Sequence, residues 1–92
     1  MADLDDVLRA LADPTRRELL RAVLRSPGLS TAQLVGRTDG MTRWGVMKHL
    51  AVLREAGLIQ TMAEGRNRRH FPERGALKPM RQWLDEVGGQ AG

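Results

Sequence analysis

Residues 41–59 place an indole, a thioether and an ammonium group at helical spacing, at Trp44, Met47 and Lys48. Val46, Leu50 and Leu53 lie three or four positions apart, which predicts a helix with one buried face. The opposite face of the same helix carries a different set of side chains: Trp44, Met47, Lys48 and Ala51. A solvated face would be expected to carry small polar and charged groups instead of an indole and a thioether. We therefore interpret this segment, called the reading helix below, as a helix suited to insertion into the major groove of DNA.

Capping residues mark both ends of the reading helix. The Thr42 hydroxyl can accept a hydrogen bond from the free amides of the first turn. Met41 and Val46 have the spacing of a hydrophobic staple, and Gly57 suits the left-handed conformation that ends a helix. The segment therefore predicts a helix that begins after Thr42 and ends shortly before Gly57.

Arg43 is the strongest candidate for reading a base. In the first turn of a groove-inserted helix, its guanidinium can bind O6 and N7 of guanine together, a contact worth roughly 1–3 kcal/mol of discrimination. The alternatives are a phosphate contact or simple exposure to solvent. Lys48 lies one turn further on, faces the same way, and can reach either a base or a phosphate.

The other candidates on the reading helix have structural alternatives. Trp44 and Met47 can pack on thymine methyls or sugar edges, or against the hairpin described below or a second subunit. Thr42 is a cap first and a phosphate contact second, because helix N-termini attract anions. His49 lies at the edge of the buried stripe; it stays in the candidate set, although a packed, hydrogen-bonded histidine is the interpretation we favour.

A predicted hairpin after the reading helix adds a second group of cations. Two short strands are expected at 58–62 and 68–71, joined by a loop in which Gly65 takes a positive φ. The hairpin carries three arginines that are candidates for phosphate or minor-groove contacts: Arg66, Arg68 and Arg69. Because alternate residues of a strand point to opposite faces, Arg68 and Arg69 cannot both face one groove. We expect one of these two in solvent or in an intramolecular salt bridge.

Four more helices are predicted around these elements, at residues 3–12, from Pro14 to about 25, from Thr31 to about 36, and from about 76 to 87. Asp13 and Pro14 form a cap and a first helical position, and Ser30 with Gln33 has the form of a capping box. Two helices joined by a short Gly-containing turn and followed by a hairpin indicate a winged helix-turn-helix. The fold class is thus mainly α, with five helices and a two-stranded wing, in one domain over residues 1–87. Residues 88–92 are expected to form a flexible tail.

The first and last helices both carry apolar stripes. We interpret these stripes as a subunit interface through which the protein forms a homodimer, since together they exceed what one small subunit can cover. The alternative is an ordinary monomer core. The proposed interface residues are Leu4, Val7, Leu8, Leu11, Leu77, Met80, Trp83 and Leu84.

Charge is distributed unevenly along the 92 residues, which carry a formal net charge of +4. Residues 37–74 hold eight basic and four acidic side chains, whereas the first twenty residues are net acidic. This asymmetry favours a polyanionic partner near the reading helix. On charge alone, a solvated basic surface explains it equally well.

Several classes of protein are disfavoured by what the sequence lacks. It contains no cysteine, which excludes disulfides and thiolate metal sites. No apolar run is long enough to span a bilayer, and acidic residues stand where a signal peptide would be basic. It has no nucleophile elbow, phosphate-binding glycine loop or His-Glu metal motif. We therefore expect a cytoplasmic protein that is not an enzyme and does not interact with membranes.

Three segments, taken in order and at their spacing, resemble the ArsR-type winged-helix transcriptional repressors. They are Leu-Ala-Asp-Pro-Thr-Arg-Arg at 11–17, the reading helix at 41–59, and Gly-Arg-Asn-Arg at 65–68. Residues 41–50 look especially like the subgroup linked to activator-of-Hsp90-like (START-related) domains. The resemblance implies a homodimer, formed by the first and last helices, that represses transcription from a short inverted-repeat operator in double-stranded DNA.

One departure from that family concerns metal sensing. Members that sense metals use cysteines at the start of the third helix, or Asp and His sets on the last helix. Residues 29–33 lack a thiolate, and the last helix offers Asp85 and Glu86 without a histidine. Two carboxylates alone make a poor transition-metal site. We therefore expect no metal and no other cofactor.

Two rival functions remain open. Winged helices can also serve as protein-interaction modules, with Trp44 and Met47 as hydrophobic anchors. A small molecule held at the dimer interface could instead switch DNA binding. No polar cluster in the sequence identifies such an effector.

Overall fold

Five helices and a small sheet make up the computed structural model, which describes residues 3–89. In chain order the elements are α1 (Leu4–Ala10), α2 (Pro14–Arg25), β1 (Leu29–Ser30), α3 (Thr31–Val35), α4 (Arg43–Glu55), β2 (Ile59–Glu64), β3 (Asn67–Pro72), a 3₁₀ turn (Arg74–Leu77) and α5 (Lys78–Gly88). The reading helix is α4, and β2 with β3 forms the hairpin, called the wing from here on. The five helices and the hairpin confirm the predicted winged helix-turn-helix.

Side-chain caps set the starts of the first four helices. Asp3, Asp13, Ser30 and Thr42 each accept a hydrogen bond from the backbone amide three residues later. At Ser30 the side chain of Gln33 also accepts from the Ser30 amide, which completes the predicted capping box. These bonds satisfy amides that have no partner within the helix, so local sequence defines these boundaries.

The sheet has one strand more than expected. Its order is β1-β3-β2 and both pairings are antiparallel. The pair in β1, Leu29 and Ser30, lies opposite His70 and Arg69 of β3. Two residues are too short for any alternation of apolar and polar side chains, so no sequence pattern predicted this strand.

The end of the chain also differs slightly from expectation. A 3₁₀ turn precedes α5, which begins at Lys78 and places Pro79 in its first turn, where proline is tolerated. The helix extends through Gly88, one residue into the predicted tail. Gly89 is the cap that follows the helix, and residues 90–92 of the predicted tail lie outside the described residues.

One apolar core connects the helices to the base of the wing. Its fully buried side chains come from α1, α2, α3, α4 and the residue just before β2: Val7, Leu19, Val23, Leu34, Val46, Leu50, Leu53 and Leu58. The buried stripe predicted for the reading helix is therefore confirmed, and Gly57 has the positive φ, +77°, expected of its end. None of the helices described between residues 3 and 89 is long and apolar enough to cross a membrane.

The two terminal helices contact each other and leave part of their apolar surface uncovered. Val7 is 0% exposed inside the subunit core, which corrects its assignment to a subunit interface. Leu11, Leu77 and Met80 pack partly against the core, and Leu4 is half-buried. The apolar side chains that stay exposed on α1 and α5 are Leu8, Trp83, Leu84 and Val87.

Candidate nucleic-acid interface

The solvent-facing side of the reading helix combines cations with large apolar groups. Trp44 is 73% exposed and Met47 is 44% exposed, while Val46 between them is fully buried. Arg43 and Lys48 are exposed beside them. The fold thus presents these four side chains to solvent from a helix whose other face is fixed in the core. An exposed indole next to two cations suits contact with a polyanion that also has apolar edges.

Arg16 connects the reading helix to the first helix. Its Nε donates to the Ala10 carbonyl oxygen at 2.5 Å, and Nη2 donates to the Arg9 carbonyl at 3.3 Å. Its Nη1 donates to Nδ1 of His49 at 3.4 Å. Arg16 therefore donates to two carbonyls in the last turn of α1 and contacts the middle of α4 with the same side chain.

Asp13 fixes the start of the helix that carries Arg16. Its Oδ1 accepts from the Arg16 amide at 3.1 Å. That backbone hydrogen bond is the largest cause that holds the pKa of the Asp13 carboxyl below its ordinary value. The cap and the charge therefore reinforce each other at the first turn of α2.

His49 is half-buried beneath this contact. Since a guanidinium has only donors, Nδ1 of His49 is the acceptor of the Arg16 bond. This geometry supports the packed, hydrogen-bonded interpretation of His49 over a direct contact with DNA.

The wing holds its neighbouring arginines in different ways. Arg69 donates from Nε to Glu64 Oε2 at 2.8 Å and from Nη1 to the Gly28 carbonyl at 2.9 Å. Two of its three guanidinium nitrogens thus bond within the hairpin and at its junction with β1, which favours a structural role for Arg69 over the predicted contact with DNA. Arg66, in the turn after Gly65, and Arg68 are exposed.

A cleft of about 260 Å³ separates the reading helix from the wing. It is lined by Thr31, Met47, Leu50, Arg54, Arg68 and His70. On β3, Arg68 and His70 are two residues apart and so share the face of the sheet that looks toward the helices. The expected division of the wing arginines follows from this alternation: Arg68 faces the reading helix and Arg69 faces away.

His70 is the buried polar centre of this cleft. Its Nε2 is hydrogen-bonded to Thr31 Oγ1 at 2.9 Å, and its Nδ1 is hydrogen-bonded to Thr61 Oγ1 at 3.0 Å. Burial is the main cause that lowers the pKa of His70 below its ordinary value, and the charges of Arg54 and Arg68 lower it further. A neutral imidazole therefore ties α3 to the wing under two guanidinium groups.

Sequence reasoning did not assign Arg54, His70 or Thr61 to this surface. A signal existed for Arg54, because it lies seven residues, close to two helical turns, after Met47. For His70 no such signal existed, since its bond to Thr31 spans 39 positions. Within residues 3–89, no three side chains of His, Asp or Glu lie close enough together to hold a metal ion.

Comparison with known proteins agrees with this geometry. Residues 11–61, from the end of α1 to the first strand of the wing, match a family model described as a helix-turn-helix domain. The solved structure of the ArsR family transcriptional regulator RHA00566 is similar, with a TM-score of 0.84 and 33% identity over 98% of this chain and 95% of that one.

Curated relatives are also transcriptional regulators. The HTH-type transcriptional regulator CmtR of Mycobacterium tuberculosis is 45% identical over 65 residues, which are 67% of this chain and 51% of the relative. This match thus spans about half the length of CmtR. YuzN of Bacillus subtilis, an uncharacterized HTH-type transcriptional regulator, is 35% identical over 70% of this chain and 75% of its own. From its fold, its helix-turn-helix match and these relatives, the chain belongs to the ArsR family of helix-turn-helix transcriptional regulators.

Proposed function

We propose that this protein is a homodimeric repressor that binds a specific inverted-repeat operator in double-stranded DNA. The observation that carries the proposal is the exposed position of Trp44 and Met47 beside Arg43 and Lys48. Side chains of this size usually help to fill a core in a chain of 92 residues, so their exposure on one face calls for a partner. The cations beside them select a polyanion as that partner.

In this proposal each reading helix enters one major groove, and the two wings flank it. Arg43 reads a base edge, Lys48 reaches a base or a phosphate, and Thr42 contacts a phosphate at the helix start. Arg66 and Arg68 contact the backbone or the adjacent minor groove. Two-fold symmetry would separate the half-sites by about one helical turn, roughly 34 Å, or slightly more.

The dimer would use the uncovered apolar surface of α1 and α5. Leu8, Trp83, Leu84 and Val87 support this part of the proposal, because they are exposed on two helices that contact each other within the subunit. Leu4, Leu11, Leu77 and Met80 would contribute their remaining exposed surface, whereas Val7 would act only as a core residue. Pairing of this surface with its copy removes it from water and sets the spacing of the reading helices.

We further infer a cytoplasmic protein of the subgroup linked to activator-of-Hsp90-like (START-related) domains. The support is the segment from Met41 to Leu50, which resembles that subgroup. An adjacent or fused gene for such a domain in the source genome is the expected finding. If related genes with this segment stand beside no such domain, the subgroup assignment is wrong.

A gel-shift titration against mixed genomic fragments tests the proposed function. Only a minority of fragments should be retarded. Their retardation should weaken as the salt concentration rises, because arginine and lysine contacts release counterions from DNA. An interaction module would retard no fragment selectively, and that result would overturn the proposal. Sequencing the retarded fragments should reveal a shared inverted repeat.

A further inference from the structure

The cleft between the reading helix and the wing has two arginines at its rim and no acidic side chain among its lining residues. Arg54 comes from the last turn of α4, and Arg68 comes from β3 of the wing. Both side chains are exposed, and neither makes an ion pair with any residue between 3 and 89. Two cations that share one cleft repel each other, so the arrangement favours an anion between them.

Groove geometry indicates which anion would lie there. If the reading helix occupies a major groove and the wing reaches the adjacent minor groove, one sugar-phosphate strand separates them. That strand has to cross the cleft between α4 and the wing, and its phosphates carry the charge that guanidinium groups bind best.

The floor of the cleft is compatible with this occupant. His70 is buried there, and both ring nitrogens are bonded to the hydroxyls of Thr31 and Thr61. Because each hydroxyl can donate or accept, these bonds can serve either charge state of the ring. Burial and the two guanidinium charges oppose protonation of His70. An anion between the arginines would offset the effect of the guanidinium charges.

We propose that Arg54 and Arg68, from opposite walls of this cleft, together bind a single phosphodiester group of the DNA strand that passes between the two grooves. The proposal rests on the DNA-binding function above and adds Arg54 to it. It assigns Arg68 to a backbone phosphate in preference to the minor groove.

We call this pair of arginines the clamp. A scan with neutral methylphosphonate linkages in a selected operator duplex tests it. Each phosphate of one half-site is replaced in turn, and binding is measured for wild type, Arg54→Gln, Arg68→Gln and the charge-matched control Arg25→Gln on α2. One linkage should weaken wild type and Arg25→Gln by about tenfold, the scale of a charge-assisted hydrogen bond. Arg54→Gln and Arg68→Gln should bind normal DNA more weakly than wild type does, and the same linkage should reduce their affinity little further.

The ring resonances of His70 give a second readout. DNA should raise the pKa of His70 in wild type, because a bound phosphate offsets the charges of both arginines, and should raise it less in Arg54→Gln. The clamp is overturned if wild type binds its operator selectively while Arg54→Gln and Arg25→Gln respond alike to every linkage and to the titration. If wild type shows no selective binding, the proposed function fails, and the clamp fails with it.

Discussion

The guanidinium of Arg69 donates to the carboxylate of Glu64 at 2.8 Å, across the two strands of the wing. Its neighbour Arg68 lies on the opposite face of the same strand and lines the cleft beside the reading helix. Adjacent arginines of the wing therefore have different environments, one within the hairpin and one facing the proposed DNA. This difference separates the effects of two substitutions that remove the same charge.

Arg69→Ala should reduce stability and leave the salt dependence of DNA binding unchanged. The substitution removes the bond to the Gly28 carbonyl as well as the pair with Glu64, and we expect the free energy of unfolding to fall by about 1 kcal/mol. Most of that loss is assigned to the carbonyl bond, since the partly exposed ion pair is screened by water. Urea unfolding and salt titration of DNA binding measure the two effects.

Arg68→Ala is the matched comparison. It should change the free energy of unfolding by no more than about 0.5 kcal/mol. It should also lower the slope of log affinity against log salt by about one per subunit, through loss of a phosphate contact. An equal fall in slope for Arg69→Ala would contradict the division of roles.

Acidification should destabilise the protein through His70. Its pKa in the folded state lies below the ordinary value of about 6.5, so the unfolded chain binds more protons between these two values. The stability contributed by neutral His70 is therefore complete above about pH 6.5 and falls as the pH drops toward the folded pKa. Urea midpoints at pH 7.5, 6.5 and 5.5 measure this decline.

The other histidine supplies the control for that pH series. His70→Gln should flatten the decline between pH 7.5 and 5.5, whatever its effect on overall stability. His49→Gln should retain the decline, because His70 and its threonine partners stay in place. A decline in His70→Gln as steep as in wild type would place its origin elsewhere.

Leu84→Glu should convert the proposed dimer into a monomer. Leu84 is 51% exposed on α5 and makes no part of the subunit core, so a carboxylate there is tolerated by the monomer and repelled by its copy. Sedimentation should show half the mass of wild type, with unchanged helix content by circular dichroism. Gln82→Glu is the control, because Gln82 lines a different groove, which it shares with Gln60 and Thr61 of β2. This variant adds the same charge and should remain dimeric. A wild-type protein that sediments as a monomer would refute the assignment of this surface.

Features set by short stretches of sequence could be predicted, and features set by distant pairs could not. The cap at Thr42, the box at Ser30 and the stripe containing Leu50 each depend on residues within two turns, and the structure has them as expected. Strand alternation also predicted that Arg68 and Arg69 would differ.

The sequence could not show which of Arg68 and Arg69 forms intramolecular bonds, or with which partners, because these bonds depend on contacts across the fold. The Arg69 bond to Gly28 joins residues 41 positions apart, and the short strand β1 exists only because β3 lies beside it. The Arg16 side chain likewise contacts both α1 and His49, although its position in the motif at 11–17 shows neither contact. Val7 was assigned to an interface because a stripe alone does not reveal which of its members the subunit itself covers.

In the proposed complex, the reading helix specifies sequence while the wing supplies general affinity. The most direct test measures the affinities of wild type, Arg43→Ala and Arg66→Ala for operator and scrambled duplexes at several salt concentrations. Arg43→Ala should lose roughly 1–3 kcal/mol of preference for the operator with little change on scrambled DNA, because it loses a base contact. Arg66→Ala should weaken binding to both duplexes by the same factor, because it loses a phosphate contact. If both variants lose affinity for the two duplexes in equal proportion, Arg43 reads no base, and the proposed difference in role between helix and wing is wrong.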